Sequence, residues 1–583
     1  MRVTTRGLVI AVGASVGIAA LGVLAGTVAL RRMVNADLLE SVINEAVGAA
    51  TEGRYRVEVG PVEVHPWQGD LAVQGVHLRP TGFGTDDAEP EGGNALRFSS
   101  SVEEVSIRGV DLIRLVRDRD LEADAYTMAS PRLTLIVIER EAPPIMGAAA
   151  VTELPDGSDE TPSARELADS VIADSAATLH GAVAAGLPHI HVGRVDILDV
   201  DASIVTLSRE GGQAETPLHV QGLSLTLDDL RIDPNEPMEA DRFLFARDVR
   251  LSFDSLDLRG AKGGSVALGP VAMSTRGQSL RFDHVTLRPS HTAAEYLLGL
   301  GPAGDHVQMT VGPVSVQGLQ WWKLAESLDA VATTVRIDGL DIDVLGDDHR
   351  PSRPSSGPPT MPHDVMRELA LGITLDTVVV SDASVTYSKR GSQSERPGSV
   401  SFEDIQARFT NVTNDPDRAA ERGPTMLEAE TRVFGAAPAS IRASIPLLGP
   451  PPTMFFFARI GAFDASALNA ILPDLEGMRV TEGRVDSARV DIRYRADGAS
   501  GVVMVGYEGL ELRQEDRNTG EQSFGQRLTS FVANTFVIRG DNRPGDDRPP
   551  REGRVEYVRP PDASFFKQFW HAIRDGLIDV AKR

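Results

Sequence analysis

The 583-residue sequence has no cysteine. That excludes thiol catalysis, disulfide frameworks and cysteine-ligated zinc or iron–sulfur sites. Lysine is scarce as well: five of the 58 basic residues are Lys and the rest are Arg. The 83 acidic residues outnumber the basic ones and leave a formal net charge of −25. Such a surface repels phosphate, which argues against a general nucleic-acid binder. A GxxxxGK loop and an HExxH pair are both missing. The one GxSxG match, Gly13 to Gly17, lies inside an uncharged apolar run and cannot form a nucleophile elbow in a hydrolase sheet. The chain is therefore read as no enzyme, with no catalytic residue, no metal and no cofactor.

What is present begins with that run. Residues 7–30, GLVIAVGASVGIAALGVLAGTVAL, carry no charge. As a helix they span about 36 Å, enough to cross a bilayer with some tilt. Arg2 and Arg6 precede the run and Arg31 and Arg32 follow it, which disfavours a cleavage site. No second run of similar length follows. The expectation is a cytoplasmic terminus at 1–6, one uncleaved transmembrane anchor helix at 7–31, and the bulk of the chain on the far side. Met33, Val34, Leu38, Leu39, Val42 and Ile43 keep helical spacing, so 32–53 is read as a juxtamembrane helix.

From Tyr55 onward the apolar period changes to two. Val57 and Val59, then Val62 and Val64, then Leu71 and Val73 alternate with polar residues, and such runs recur to about residue 558. Gly, Pro and Asp clusters punctuate them. Asp497-Gly498, between Tyr494 and Val503, signals a hairpin. The body reads as mostly β, a long antiparallel sheet with one apolar face. Long repeats underlie it. VSIRGVDLIRL (105–115) matches VSVQGLQWWKL (314–324) at an offset of 209, which continues through Leu133 and Leu135 to Ile342 and Val344. DASIVTLSREG (201–211) matches DASVTYSKRG (382–391), and Asp233-Pro234 matches Asp415-Pro416. The resulting division has a first β repeat unit at 54–234 with a helical insertion at 141–186, connecting strands at 235–269, a second β repeat unit at 270–416, a C-terminal β region at 417–562, and an amphipathic terminal helix at 563–583. In that helix Phe566, Phe569, Trp570, Ile573 and Leu577 fall at helical spacing. The stripe suits packing against the sheet, a membrane surface or a partner protein.

Other chemical candidates are weaker. His189 and His191 share one face of a strand, but no third metal ligand accompanies them. Asp338, Asp341, Asp343, Asp347 and Asp348 cluster without EF-hand spacing or its glycine, so they read as a solvated strand face and loop. Asn411-Val-Thr413 fits the glycosylation triplet, a short and unspecific motif.

The order of these features resembles the AsmA-like family of bacterial envelope proteins. The resemblance is carried by the single span followed by VINEAVGAATEGRYRVEVGPVEV and GDLAVQGVHLRP (42–80), by SIRGVDLIRLVRDRDLEADAYTMASPRLTLIVI (106–138), by LNAILPDLEGMRVTEGRVDSARVDIRYRADG (468–498) and by FFKQFWHAIRDGL (565–577). It covers both termini and most of the repeats. It implies an inner-membrane-anchored, single-pass periplasmic protein with a curved, taco-like β groove. The apolar hollow would carry phospholipid acyl chains toward the outer membrane, with a possible envelope partner at the C-terminal end. Physically, alternation gives each strand one apolar face that another sheet, helices or a ligand must cover, and helical segments are few. The expected lining is Val105, Ile107, Leu133 and Leu135, then Val314, Val316, Ile342 and Val344, then Val490, Ile492 and Tyr494. The rival expectation is a scaffold for outer-membrane biogenesis that acts through protein contacts without conducting lipid.

Overall fold

The computed structural model describes residues 55–80, 95–138, 189–207, 215–233, 242–260, 264–301, 305–350, 366, 369, 371–391, 394–448, 453–514, 536–537, 541–543, 551–560 and 565–582, apart from single positions within these ranges. The expected anchor at 7–31, the helix at 32–53 and the insertion at 141–186 lie outside the described residues. Among the described residues no helix is long and apolar enough to cross a membrane.

Most of the described chain is strand, joined by short helices. It divides into two compact units, one of residues 1–283 with Trp321–Ser327, the other of His284–Gln320 with Leu328–Arg583. In the first unit, Asp70–Pro80 pairs antiparallel with Tyr55–Val59 and Val62–His65 on one side and with Ala95–Arg108 on the other. Ala95–Arg108 pairs with Leu121–Ala129 and Arg132–Ile138. Those two strands run parallel to successive halves of Ile190–Leu207. Glu215–Ile232 follows antiparallel, then Asp248–Phe253 and Ser255–Arg259, both paired with Ser265–Ser274.

The second unit uses the same sequence of pairings. His306–Val311 and Val314–Gln317 pair antiparallel with Asp329–Asp347, which runs parallel to Gly372–Arg390, which pairs antiparallel with Gly398–Thr413. An antiparallel meander continues through Thr425–Val433, Ala437–Ile445, Met454–Ile460, Met478–Arg495, Gly498–Gln514 and Glu552–Val558.

The parallel pairs correct the expectation of a purely antiparallel sheet. Parallel neighbours need a crossover of a dozen or more residues, and the chain supplies that length between Ile138 and Ile190 and between Asp347 and Gly372. Alternation specifies which face is apolar but not which way the neighbouring strand runs.

Left-handed positions recur at matching places. Gly109 (φ 66°) corresponds to Gly318 (φ 68°), and Ser130 (47°) to Gly339 (87°), both at the offset of 209. Asp199 (57°) corresponds to Asp382 (56°). This last pair shifts the DAS match by two residues: Asp201 stands opposite Arg132, as Ser384 stands opposite Asp341. A slip of two leaves every side chain on its own face, so the apolar pattern could not reveal it. Asp199, Asp382 and Asp404 lie at bulges, with register shifts at Ile197/Val200, Val380/Ala383 and Glu403/Gln406. The extra residue restores phase, which is why Val380 and Ala383, three apart, both belong to the apolar stripe.

The short helices are capped by their own sequences. Asp111 Oδ1 accepts from the amides of Ile113 and Arg114 at the start of Leu112–Arg117. Thr292 and Glu295 form a capping box on Ala293–Leu297, and Asp415 caps Pro416–Arg422. The hairpin expected near Asp497-Gly498 is present, closed by the pair Arg495 and Gly498. Gly498 is required not by the turn but by a close approach, since a Cβ there would lie 2.1 Å from the Tyr557 carbonyl oxygen.

Candidate functional site: an apolar sheet face

In the second unit one register row crosses ten strands. It runs Val316, Val335, Val378, Phe409, Leu427, Ala443, Phe456, Ile492, Gly501 and Val555. A neighbouring row runs Val314, Ile337, Val380, Ala407, Ala429, Ile441, Ala458, Val490 and Val503. Past the bulges, Val307, Val344, Tyr387 and Val400 form a third, and Met309, Ile342, Val385 and Phe402 a fourth. Not one charged side chain interrupts these rows. They place six of the expected lining residues, Val314, Val316, Ile342, Val344, Val490 and Ile492, on a single face.

That face is covered unevenly. Val316, Ile337, Leu340, Ile342, Val344, Val378, Val385, Phe409, Leu427 and Phe456 are only half-buried. Val490, Ile492, Tyr494, Val503 and Val555 are each below 5% exposed. The difference is the terminal helix Phe565–Lys582, whose Phe569, Ile573 and Leu577 pack on this cluster around the fully buried Ala572. The Phe569 ring stacks on Tyr494 at 5.4 Å and meets Phe456 edge-on at 4.9 Å. Gln568 Nε2 donates to the carbonyl oxygens of Arg495 and Gly498. Trp570 is half-buried, and the side chain of Phe566 lies outside the described residues. Of the three fates open to the helix, packing on the sheet is the one observed. Val490, Ile492 and Tyr494 are thus roofed by protein and are not open to a ligand.

In the first unit an equivalent row runs Val73, Val105, Met128, Ile197, Leu225, Leu251 and Met273. Leu133 continues into Ala202, Val220 and Leu256. Here Ile107, Leu133 and Leu135 are buried at 4–5% exposure, and Val105 is half-buried against the same cluster.

The opposite faces are polar and ion-paired. His189 lies 2.8 Å from Asp120 and 3.3 Å from Asp233, and His191 lies 3.1 Å from Asp229. Asp229 also receives Nη2 of the buried Arg242 at 3.0 Å. Burial works against its charge, but the Arg242 and His191 hydrogen bonds outweigh it and hold the Asp229 carboxyl below the usual range. Four of the five aspartates in the cluster have cross-strand partners: Asp338 and Asp341 accept from Ser381 and Ser384, Asp347 pairs with Arg390, and Asp348 with Lys389. Among the described residues no group of three metal-ligating side chains converges. Asn411 occupies a left-handed backbone position (φ 57°), and its side-chain amide donates to the Gly423 carbonyl oxygen. A polar depression in the first unit is lined by Ser203, His219, Asp257 and Arg259, with His219 Nε2 turned to Asp201 at 3.1 Å.

One feature went unmarked by periodicity. In Met454–Ile460 the outward residues Phe455 and Phe457 lie under guanidinium groups, Arg493 over the first and Arg459 and Arg489 over the second, at 4.9–5.2 Å. The FFF run was its signal, but alternation alone marks only the middle Phe as inward. No protein-family model matches the chain, and neither does any curated protein.

Proposed function

We propose that the chain is an inner-membrane-anchored periplasmic protein of AsmA-like type that holds phospholipid acyl chains along its apolar sheet face and supports lipid supply to, or homeostasis of, the outer membrane. The observation that carries this reading is the unbroken apolar row from Val316 to Leu427, in which Val316, Val378, Phe409 and Leu427 are left half-buried on a folded sheet. Leaving such side chains partly in water forfeits roughly 25 cal/mol for each Å² that an apolar partner would cover. An acyl chain fits because it is apolar throughout and needs no directional contact. Moving along a uniform lining preserves about 0.8 kcal/mol per buried methylene at every step, so sliding is nearly level in energy. The full chain purified in mild detergent is expected to carry phospholipid detectable by mass spectrometry. Val344→Asp or Val316→Asp is expected to lower that occupancy several-fold. A wild-type protein free of phospholipid would sink the proposal.

The scaffold reading draws on the first unit, where Ile107, Leu133 and Leu135 are buried in a packed cluster. It expects partner binding without bound lipid, so the same mass spectrum separates the two.

A further inference from the structure

We infer that the apolar face of the second unit ends in a polar rim that selects the headgroup of the bound lipid, a phospholipid with a primary ammonium such as phosphatidylethanolamine, its nitrogen held at Asp305 and its phosphate at Lys389. The site presupposes the acyl-chain reading of that face. The third apolar row runs Val307, Val344, Tyr387 and Val400. One step beyond it, Gly346 pairs with Lys389 and Lys389 with Gly398, with no bulge between, so these positions share the face. Asp305 joins them. A Cβ at Gly346 would lie 3.2 Å from Asp305 Oδ1, 3.8 Å from Lys389 Cγ and 3.8 Å from the Tyr387 hydroxyl oxygen. Three polar side chains thus converge over a residue that has none. At its far end the rim meets a wall, since a Cβ at Gly398 would lie 3.0 Å from the Ile471 carbonyl oxygen at the head of Leu472–Glu476.

The repeat supplies an internal control. At the matching register positions of the first copy, Leu96, Val137 and Thr206 take the places of Asp305, Gly346 and Lys389, and Ile204 takes that of Tyr387. The strands pair in the same way there without a charge, so building the sheet does not require these polar groups. They stand in the copy whose neighbouring apolar residues, Val307, Val344 and Val400, are half-buried.

Charge selects the headgroup. Lys389 Nζ lies 3.0 Å from Asp348 Oδ1, so Asp305 and Asp348 together face one ammonium. The nearby arginines are directed elsewhere: Arg390 to Asp347, and Arg350 to the carbonyl oxygens of Tyr296, Leu300 and Gly301. Burial, with the charges of Asp305 and Asp348, raises the Tyr387 phenol above its ordinary range, so it stays a neutral O–H. A lipid ammonium offsets the extra carboxylate and can donate to it, while the phosphate shares Lys389. An anionic headgroup would add a negative charge where carboxylates already outnumber cations. A trimethylammonium headgroup has no N–H to donate and gains the charge attraction alone.

The test equilibrates the full chain with mixed micelles of mild detergent and equimolar phosphatidylethanolamine, phosphatidylglycerol and phosphatidylcholine of identical acyl chains. The protein is then repurified and its lipid quantified by mass spectrometry. Wild type should enrich phosphatidylethanolamine over phosphatidylglycerol about three-fold, the size of effect a partly exposed ion pair supports. Asp305→Asn should return the ratio toward that of the mixture without lowering total lipid, and Asp305→Lys should turn it toward phosphatidylglycerol. Asp305 is exposed at a strand end, so both variants should melt as wild type does. Bound lipid that mirrors the mixture in wild type, or enrichment that survives Asp305→Lys, overturns the headgroup site and leaves the acyl-chain reading standing. A wild-type chain that carries no lipid overturns both.

Discussion

Asp347 has a side chain with no exposed surface, yet it stays ionised. Burial opposes the charge. Hydrogen bonds from Arg390, from the His349 amide and from the His349 ring outweigh it and bring the carboxyl down to about 2. A depressed carboxylate stabilises the fold fully above its unfolded value near 4. That contribution is lost as pH falls from there through about 2. It amounts to about 2 kcal/mol, since a tenfold change in proton affinity is worth about 1.4 kcal/mol. Asp347→Asn should be less stable than wild type at neutral pH, and the gap should narrow between about pH 4 and pH 2 in acid denaturation followed by circular dichroism. A gap independent of pH would reject this account.

The terminal helix joins two tasks that periodicity could not separate. Its apolar side roofs Val490, Ile492 and Tyr494. Its carboxylates serve the last strand, where Asp579 Oδ2 accepts from the Arg554 amide and Asp575 Oδ2 from the Glu556 amide. These amides sit at alternate positions of Glu552–Val558, a strand that otherwise invites another chain to pair. Asp575→Ala with Asp579→Ala should cost about 1 kcal/mol per lost hydrogen bond. Faster amide exchange at 554 and 556 and a greater tendency to self-associate should accompany it. The helix approaches closely enough that a Cβ at Gly553 would lie 1.9 Å from the Gly576 carbonyl oxygen, and one at Gly576 would lie 2.6 Å from Val503 Cγ2. Gly576→Leu should therefore lift the helix and destabilise this region by about 1–3 kcal/mol. Limited proteolysis should then cut within 565–582. If the helix served only to hold a partner, the same substitution would leave melting and proteolysis unchanged.

At the scale of the molecule, two long copies use the same pairing order but differ in how far their apolar faces are covered. Leu133 and Leu135 in the first copy are buried, while Ile342 and Val344, at the matching positions, are half-buried. A charge should act differently at the two sites. Leu133→Asp places an unpaired carboxylate in a packed cluster and should cost about 3 kcal/mol or more, read as a lowered melting temperature. Val344→Asp leaves its charge within reach of water and should shift melting little while lowering bound lipid. Equal melting losses at both positions would show that the second face is as filled as the first.

The predominance of strand, the apolar face of each strand, the repeat and the amphipathic terminal helix were all legible in the sequence, because period-two and period-3.6 patterns are local properties of side chains on a backbone. Six of the lining residues could be assigned to one face for the same reason. The parallel direction of Asp329–Asp347 against Gly372–Arg390, the two-residue shift of the second repeat match and the burial of Val490, Ile492 and Tyr494 were decided only by tertiary structure. Each depends on which segment lies beside or above another. An alternating pattern is the same for either strand direction, is unchanged by a slip of two, and is blind to what covers the face it marks.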